Sequence, residues 1–259
     1  MAPLALLIVD CALLGLLVGS FLNVVIYRVP RHESIVSPRS ACPECATPIA
    51  PRDNVPVASW LLLRGRCRHC HSPISWRYPL VELATAGLFA GVAGRLGYNW
   101  AVPAYLVLFA GLLALACIDL ERLLLPRAIV YPLLAMVAVL LLIPAVAYGA
   151  WHDYWVAWAF AGGWFAFFYV LNLASPRALG FGDVRLAPVL GLGLGWLGAG
   201  YVLLGFFAAN LIGAVIGIAL IATKRMSRKQ QVPYGVFLAL GTALAFFWGP
   251  ELLRPFHGY

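Results

Sequence analysis

The chain has 259 residues, of which 63% are hydrophobic and only 11% are charged, and its mean hydropathy is +0.89. This composition excludes an ordinary soluble domain and indicates an integral membrane protein. The net charge of +8 is typical of a basic protein face beside anionic lipid, so nucleic acid is not expected as a partner.

The first apolar run covers residues 4–26. It is too long for the core of a signal peptide, no basic segment precedes it, and no small-residue cleavage site follows it. We therefore expect residues 1–27 to form a first transmembrane helix that is retained. Residues 28–79 are different in character, since they are rich in Arg, Pro, Cys and Ser, and we interpret them as a polar loop.

Seven more apolar runs follow, separated by short connections with Gly, Pro or charge; they are 80–96, 101–118, 128–148, 154–173, 184–199, 201–222 and 234–250. The weakest is 184–199, because Pro188 and five nearby glycines lower its helix propensity. The fold class predicted is an all-α integral membrane protein with about eight transmembrane helices. Its parts are the first helix (1–27), the loop (28–79) and a seven-helix core (80–259).

Lys and Arg are retained in cytoplasmic loops, so their distribution predicts the orientation. With the N-terminus outside, the inside segments 28–79, 119–127, 174–185 and 223–233 hold 16 of the 18 basic residues. Only Arg95 and Arg254 are then outside. The loop 28–79 is accordingly predicted to face the cytoplasm.

Four of the six cysteines form two C-x-x-C knuckles in this loop. These are Cys42-Pro-Glu-Cys45 and Cys67-Arg-His-Cys70, a spacing typical of a structural four-thiolate zinc site. Two disulfides are the alternative, which a reducing cytosol disfavours. His69 and His71 are potential ligands that four thiolates make unnecessary, and the remaining cysteines are interpreted as apolar packing residues.

Carboxylates at membrane depth are scarce and usually functional. Asp119 ends the third predicted span, and Asp183 opens the sixth within the segment Gly-Phe-Gly-Asp at 180–183. On the predicted topology both lie at the cytoplasmic edge, where two carboxyl groups could act as the acid and the base of an aspartic protease. Asp183 could instead be a helix N-cap. Glu82, near the start of the second span, fits either a helix N-terminal charge or a site residue.

Several short motifs occur in order along the chain; they are 19–28, 37–40, the two cysteine knuckles, 64–68, 74–82, 118–119, 180–183 and 232–237. Their series resembles the type IV prepilin peptidases over nearly the whole chain. The resemblance implies a bacterial inner-membrane aspartic endopeptidase with Asp119 and Asp183 as catalytic residues. It would remove the basic leader of prepilins or pseudopilins after a Gly, on the cytoplasmic side.

The resemblance also implies N-methylation of the new N-terminus, with S-adenosylmethionine as methyl donor and the loop 28–79 as the usual location. The sequence has no Gly-rich nucleotide-binding strand-turn-helix, so the residues that bind this donor are not predicted. The oligomeric state and the pathway served, pilus or secretion, are also left open.

Two positions depart from the family pattern. Arg127 stands where relatives often have Asp, and Arg185 replaces the usual Lys. Three other hypotheses remain open at this point: a presenilin-like intramembrane protease, a proton-coupled transporter, and a non-catalytic assembly protein that docks partners through the zinc loop.

Overall fold

A computed structural model describes residues 2–176, 179–224 and 232–254. Within these ranges the chain is helical, and its only β-type pairing is two isolated bridges in the loop, Ala41 with Pro48 and Arg66 with Pro73. The all-α prediction is thus confirmed. The chain packs as two compact units, Met1–Tyr98 and Asn99–Tyr259, and each is described by itself.

The helices of the described ranges are α1 (Ala2–Arg28), α2 (Ala58–Leu62), α3 (Arg77–Leu96), α4 (Val102–Arg122), α5 (Arg127–Ala147), α6 (Trp151–Ala174), α7 (Phe181–Gly195), α8 (Ala199–Ala222) and α9 (Tyr234–Leu253). Two short 3-10 turns, Val29–Arg31 and Pro51–Asp53, lie in the loop of the first unit. Of the helices in the described ranges, seven are long and apolar enough to cross a membrane, and α2 and α7 are not.

The sequence predicted eight spans, and the difference lies in α7. This helix has only 15 residues, begins at Phe181 and ends at Gly195, whereas the predicted span was 184–199. The helix begins directly after its N-cap Gly180, whose backbone is extended. It ends before the turn at Gly198, whose φ is +119°. Most of its residues are buried inside the second unit, so it need not present an apolar surface of membrane length.

Glycines set the contacts in both units. In the first, Gly15 and Gly19 lie one turn apart on α1, and a Cβ at either position would be 2.7 Å from the backbone of Ala86 or Glu82 on α3. In the second, a Cβ at Gly191 would lie 2.6 Å from the Phe160 carbonyl oxygen of α6. Small residues therefore let the helix backbones approach closely, as is common in membrane bundles.

Much of the basic segment 223–233, which was used to predict the orientation, lies outside the described residues, as does Arg177.

Candidate active site and metal centre

Asp119 is in the last turn of α4, and only 5% of its surface is exposed. Leu123, in the left-handed conformation with a φ of 52°, ends the helix and donates its backbone N–H to the Asp119 carbonyl oxygen at 2.8 Å. Backbone N–H groups of Gly235 and Val236 approach the carboxyl group, but its Oδ2 makes no hydrogen bond with any described residue. A buried carboxyl oxygen without a partner is costly and points to a functional role.

Asp183 is the third residue of α7 and is also buried. The N-cap of this helix is Gly180, so the N-cap interpretation of Asp183 is wrong. The Gly180 backbone N–H approaches the Asp183 carboxyl group at the helix N-terminus, in the arrangement of a capping box. A Cβ at Gly180 would lie 3.3 Å from Asp183 Oδ2.

The structure brings Asp119 and Asp183 together in the second unit, close enough for their charges to interact. The buried side chain of Leu125 lies between the segments that surround them. A Cβ at Gly182, beside Asp183, would lie 3.1 Å from Leu125 Cβ, and a Cβ at Gly235 would lie 3.0 Å from Leu125 Cδ2 and 2.9 Å from Asp119 Oδ2. The site therefore combines two buried carboxyl groups with glycine backbone on either side of one apolar side chain.

Tyr234, the first residue of α9, is a neighbour that the sequence argument did not single out. Its hydroxyl lies 3.4 Å from Asn210 Oδ1 on α8, and it is near enough to Asp183 to interact electrostatically. Its ring packs on Phe168, with centroids 6.4 Å apart. The motif at 232–237 carries the family resemblance, but nothing in its pattern indicated that Tyr234 would reach Asp183.

Other polar residues on these elements have internal contacts or are exposed. Asn172 donates to the Leu179 carbonyl oxygen at 2.7 Å, which ties the end of α6 to the segment before Asp183. Glu121 and Arg127 are exposed. The guanidinium of Arg185 lies over the Phe181 ring, 4.7 Å from its centroid.

The four loop cysteines form a cluster in the first unit. Their Sγ atoms all lie within 4.8 Å of one another, and Cys42 Sγ is 3.7 Å from Cys70 Sγ. A disulfide would need about 2.05 Å, and all four are free thiols. Four sulfurs at about 2.3 Å from a tetrahedral zinc are separated by about 3.8 Å, so this cluster could bind a metal such as zinc.

The two knuckles repeat each other in structure. Cys42 and Cys67, 25 positions apart, donate their backbone N–H groups to the Thr47 and Ser72 carbonyl oxygens at 3.0 and 2.9 Å. Their carbonyl oxygens in turn accept from Ala46 and His71, both left-handed with a φ of 54° and 59°. Each knuckle is thus an autonomous turn that presents two sulfurs.

The surroundings favour the thiolate form of two of the ligands, Cys42 and Cys70. At Cys67, backbone N–H groups of Cys70 and His69 lower the pKa of the thiol, but burial and the neighbouring Cys70 and Cys42 sulfurs outweigh them and raise it. Backbone N–H groups of Cys45 and Glu44 lower the pKa of the Cys42 thiol from its ordinary 9.0 to about 6. The Ser72 hydroxyl lowers the pKa of Cys70. Metals bind thiolates, so the fold prepares the cluster for a cation.

Glu82 is the sixth residue of α3, beyond the first turn, so the helix N-terminal interpretation is wrong. It is buried, and its Oε2 accepts the Val57 backbone N–H at 2.7 Å. The Ser20 hydroxyl of α1 lies near the same carboxyl group. Glu82 therefore lies where α1, α3 and the loop meet.

Comparisons with known proteins agree with this architecture. Residues 13–96 match the bacterial peptidase A24 N-terminal domain, and residues 106–218 match the type IV leader peptidase family. No solved structure matches the chain.

Among curated proteins, the prepilin leader peptidase/N-methyltransferase of Aeromonas hydrophila is 37% identical over 272 residues, which cover 93% of this chain and 91% of that protein. The protein of the same name from Pseudomonas aeruginosa is 34% identical, with 94% and 91% covered. The Myxococcus xanthus protein of this name is 43% identical over 84% of this chain and 64% of its own length. With seven apolar helices among its described residues, this multi-pass membrane protein belongs to the type IV leader peptidase family.

Proposed function

We propose that this chain cleaves the leader peptide from type IV prepilins or pseudopilins, after a Gly, and then methylates the new N-terminus. Asp119 and Asp183 are its catalytic residues. The observation that carries the proposal is the pair of buried, interacting carboxyl groups in the second unit. The family membership, established independently of that geometry, supports the same reaction.

Two neighbouring carboxyl groups in a partly dry site hold one proton between them, because two negative charges cannot be stabilised together. The ionised member accepts a proton from water, and the hydroxide adds to the scissile carbonyl carbon. The protonated member donates to the carbonyl oxygen at the same time. The tetrahedral intermediate then collapses, the C–N bond breaks, and the proton first taken from water passes to the leaving amine. One hydroxyl proton of the intermediate returns to the other aspartate as the carbonyl forms again, which restores the starting protonation state.

The glycines beside the carboxyl groups suit an extended peptide. Gly180 leaves the space beside Asp183 without a side chain, and Gly182 and Gly235 let the protein backbone pack closely on Leu125 and Asp119. A small residue before the scissile bond is the substrate feature that this close approach favours. The exposed Glu121 and the two aspartates add negative charge that attracts a basic leader.

The proposed location is the bacterial inner membrane with the N-terminus outside, because that orientation places 16 of 18 basic residues on the cytoplasmic side. A prepilin joins a basic leader to an apolar helix, so its scissile bond lies at the cytoplasmic surface of the membrane. Carboxyl groups at the ends of α4 and α7 on that side would meet it there.

For the metal, we propose one structural Zn²⁺ held by Cys42, Cys45, Cys67 and Cys70. The 3.7 Å sulfur separation supports tetrahedral coordination. The loop has little apolar material, so metal binding would contribute much of its folding free energy.

S-adenosylmethionine is the proposed methyl donor; when bound, it supplies an activated methyl group on a sulfonium. The role of the protein in this second reaction is to bind the donor, to hold the new N-terminal amine in its neutral form beside it and to keep water away.

The test uses purified protein in detergent and a full-length prepilin, with mass spectrometry of the products. The expected result is loss of the leader after Gly and a mature chain heavier by one methyl group when S-adenosylmethionine is present. A substrate with Phe in place of that Gly is expected to remain intact. Cleavage at another peptide bond, or equal cleavage of the Phe substrate, would contradict the proposed specificity.

A further inference from the structure

The first unit contains a cavity of about 370 Å³ among α1, α3 and the loop. Ligand sites usually measure about 300 to 1,000 Å³. Its lining includes two buried polar residues from the helices, Asn23 and Glu82, and the aromatic side chains of Trp60 and Tyr78. Neither the proposed peptide cleavage nor metal binding uses these four residues.

The polar groups of this cavity are fixed by the surrounding fold. Asn23 donates its Nδ2 to the Tyr78 carbonyl oxygen at 3.1 Å, which leaves its Oδ1 buried and without a hydrogen-bond partner among the described residues. Glu82 is held by the Val57 N–H at 2.7 Å. Val57 is β-branched and has a φ of 59°, a strained conformation that is common at functional sites. The backbone is thus strained where it holds this carboxylate.

The aromatic wall is fixed as well. The Trp60 indole donates to the Ile74 carbonyl oxygen at 3.1 Å. Its ring lies on Gly65, where an added Cβ would be only 2.9 Å from Trp60 Cζ2. Gly65 has a φ of +65°, which favours glycine, and the indole occupies the space that a side chain at this position would need. The ring is therefore an ordered surface on which a flat heterocycle can stack.

Charge decides which ligand class fits. Of the acids that line the cavity, Asp53 is paired with Arg68, whose guanidinium donates to it at 2.6 Å and holds the pKa of that carboxyl below its usual range. Glu82 faces no described basic group within ion-pair distance. A buried carboxylate that accepts only neutral donors attracts a cation, and an aromatic face does the same.

We propose that this cavity binds the methyl donor S-adenosylmethionine, with its sulfonium beside the Glu82 carboxylate and its adenine against Trp60. Arg68, which also lines the cavity and is paired with Asp53, is the basic group that would meet the carboxylate of the methionine part. The inference rests on the methyltransferase half of the proposed function, for which the sequence predicted no donor-binding residues.

The methyl transfer balances without a further reagent. The neutral N-terminal amine attacks the methyl carbon, the N–C bond forms as the S–C bond breaks, and the sulfur keeps the electron pair as a neutral thioether. The resulting ammonium loses its extra proton to water. Because the positive charge is on sulfur before transfer and leaves it afterwards, a carboxylate beside the sulfur binds the donor more tightly than the spent product.

That charge difference gives a binding test on the zinc-loaded, detergent-solubilised full chain. Isothermal titration with S-adenosylmethionine and with its thioether product, S-adenosylhomocysteine, is expected to show tighter binding of the sulfonium form. Glu82→Gln is expected to weaken that form roughly tenfold, the value of one charge-assisted contact, and to leave the thioether almost unchanged. Glu33→Gln makes the same chemical change on an exposed loop residue and is expected to bind both ligands as the wild type does.

Zinc content and the thermal unfolding midpoint show whether Glu82→Gln has folded. If it has not, Ile49→Trp takes its place, since Ile49 lines the cavity, is 40% exposed and contributes no polar side chain. The added indole is expected to weaken both ligands by more than tenfold while zinc is retained.

Normal donor binding by a folded Glu82→Gln protein, or by Ile49→Trp, would overturn the assignment of this cavity. If the wild type methylates prepilin while those variants bind the donor normally, only the cavity is wrong. If the wild type cleaves prepilin but neither binds the donor nor methylates, the methyltransferase half of the proposed function fails, and this inference fails with it.

Discussion

Gly235→Ala tests the link between Asp119 and catalysis with one added methyl group. Gly235 is the second residue of α9 and is not in the left-handed region, so alanine suits its backbone. The new Cβ would lie 2.9 Å from Asp119 Oδ2 and 3.0 Å from Leu125 Cδ2. Carbon contacts normally relax to about 3.5 Å, so the neighbouring side chains must move by about half an ångström.

That displacement falls mainly on the carboxyl group, because Oδ2 is the end of a rotatable side chain. Catalytic groups have to be held within about 0.5 Å of their productive geometry. We therefore expect the rate of prepilin cleavage to fall roughly tenfold to a hundredfold. The free energy of unfolding is expected to change by no more than about 1 kcal/mol.

The matched control is Gly217→Ala on α8, where an added Cβ would meet no atom within 4 Å. It is expected to cleave at the wild-type rate. Initial rates on a labelled prepilin and thermal unfolding would be measured for both variants. A folded Gly235→Ala protein with the wild-type rate would refute the claim that the position of the Asp119 carboxyl group limits cleavage.

Three other predictions concern packing and the metal. Gly241→Ala would place a Cβ 2.3 Å from the Gly205 carbonyl oxygen. Because backbone cannot move aside as a side chain does, the variant is expected to lose about 1–3 kcal/mol of its free energy of unfolding, and its thermal unfolding midpoint should fall. An unchanged midpoint would contradict the packing of α8 on α9. Elemental analysis is expected to find one zinc per chain, lost on chelation and in Cys45→Ser, after which the loop becomes sensitive to protease; retained zinc would contradict the four-thiolate site. In the metal-free protein, the lowered pKa of Cys42 contributes stability that is fully present above pH 9.0, declines as the pH falls and is lost below about 6. Zinc retention by the folded loop is expected to fall as the pH drops through about 6, where the Cys42 thiolate takes up a proton. Zinc content that stays unchanged well below that pH would contradict this prediction.

The sequence predicted most of the fold because long apolar runs and basic loops are strong signals. It made 184–199 the weakest span because glycine and proline lower helix propensity, and the structure has the 15-residue helix Phe181–Gly195 there. Gly191 and Gly195 are instead contact points, where an added Cβ would lie 2.6 Å from the Phe160 carbonyl oxygen or 2.9 Å from Phe160 Cβ. Packing in the second unit therefore outweighs the low intrinsic propensity.

The candidate sites were predictable where one short pattern carries the chemistry. The two C-x-x-C knuckles and the segment around Asp183 are patterns of this kind. The contact of Leu125 with Gly182 and Gly235 was not predictable, since it joins three distant parts of the chain. The bond from the Val57 N–H to Glu82 was hidden for the same reason, because it spans 25 positions between a strained loop residue and a helix.

Asp119→Asn, Asp183→Asn and the double variant test the central claim most directly. Their single-turnover rates of prepilin cleavage would be compared with those of Asp153→Asn, which makes the same chemical change on an exposed residue in the first turn of α6. If the two aspartates act as one unit, each single variant is as inactive as the double variant while the control keeps the wild-type rate. Wild-type cleavage by either folded single variant would contradict the account.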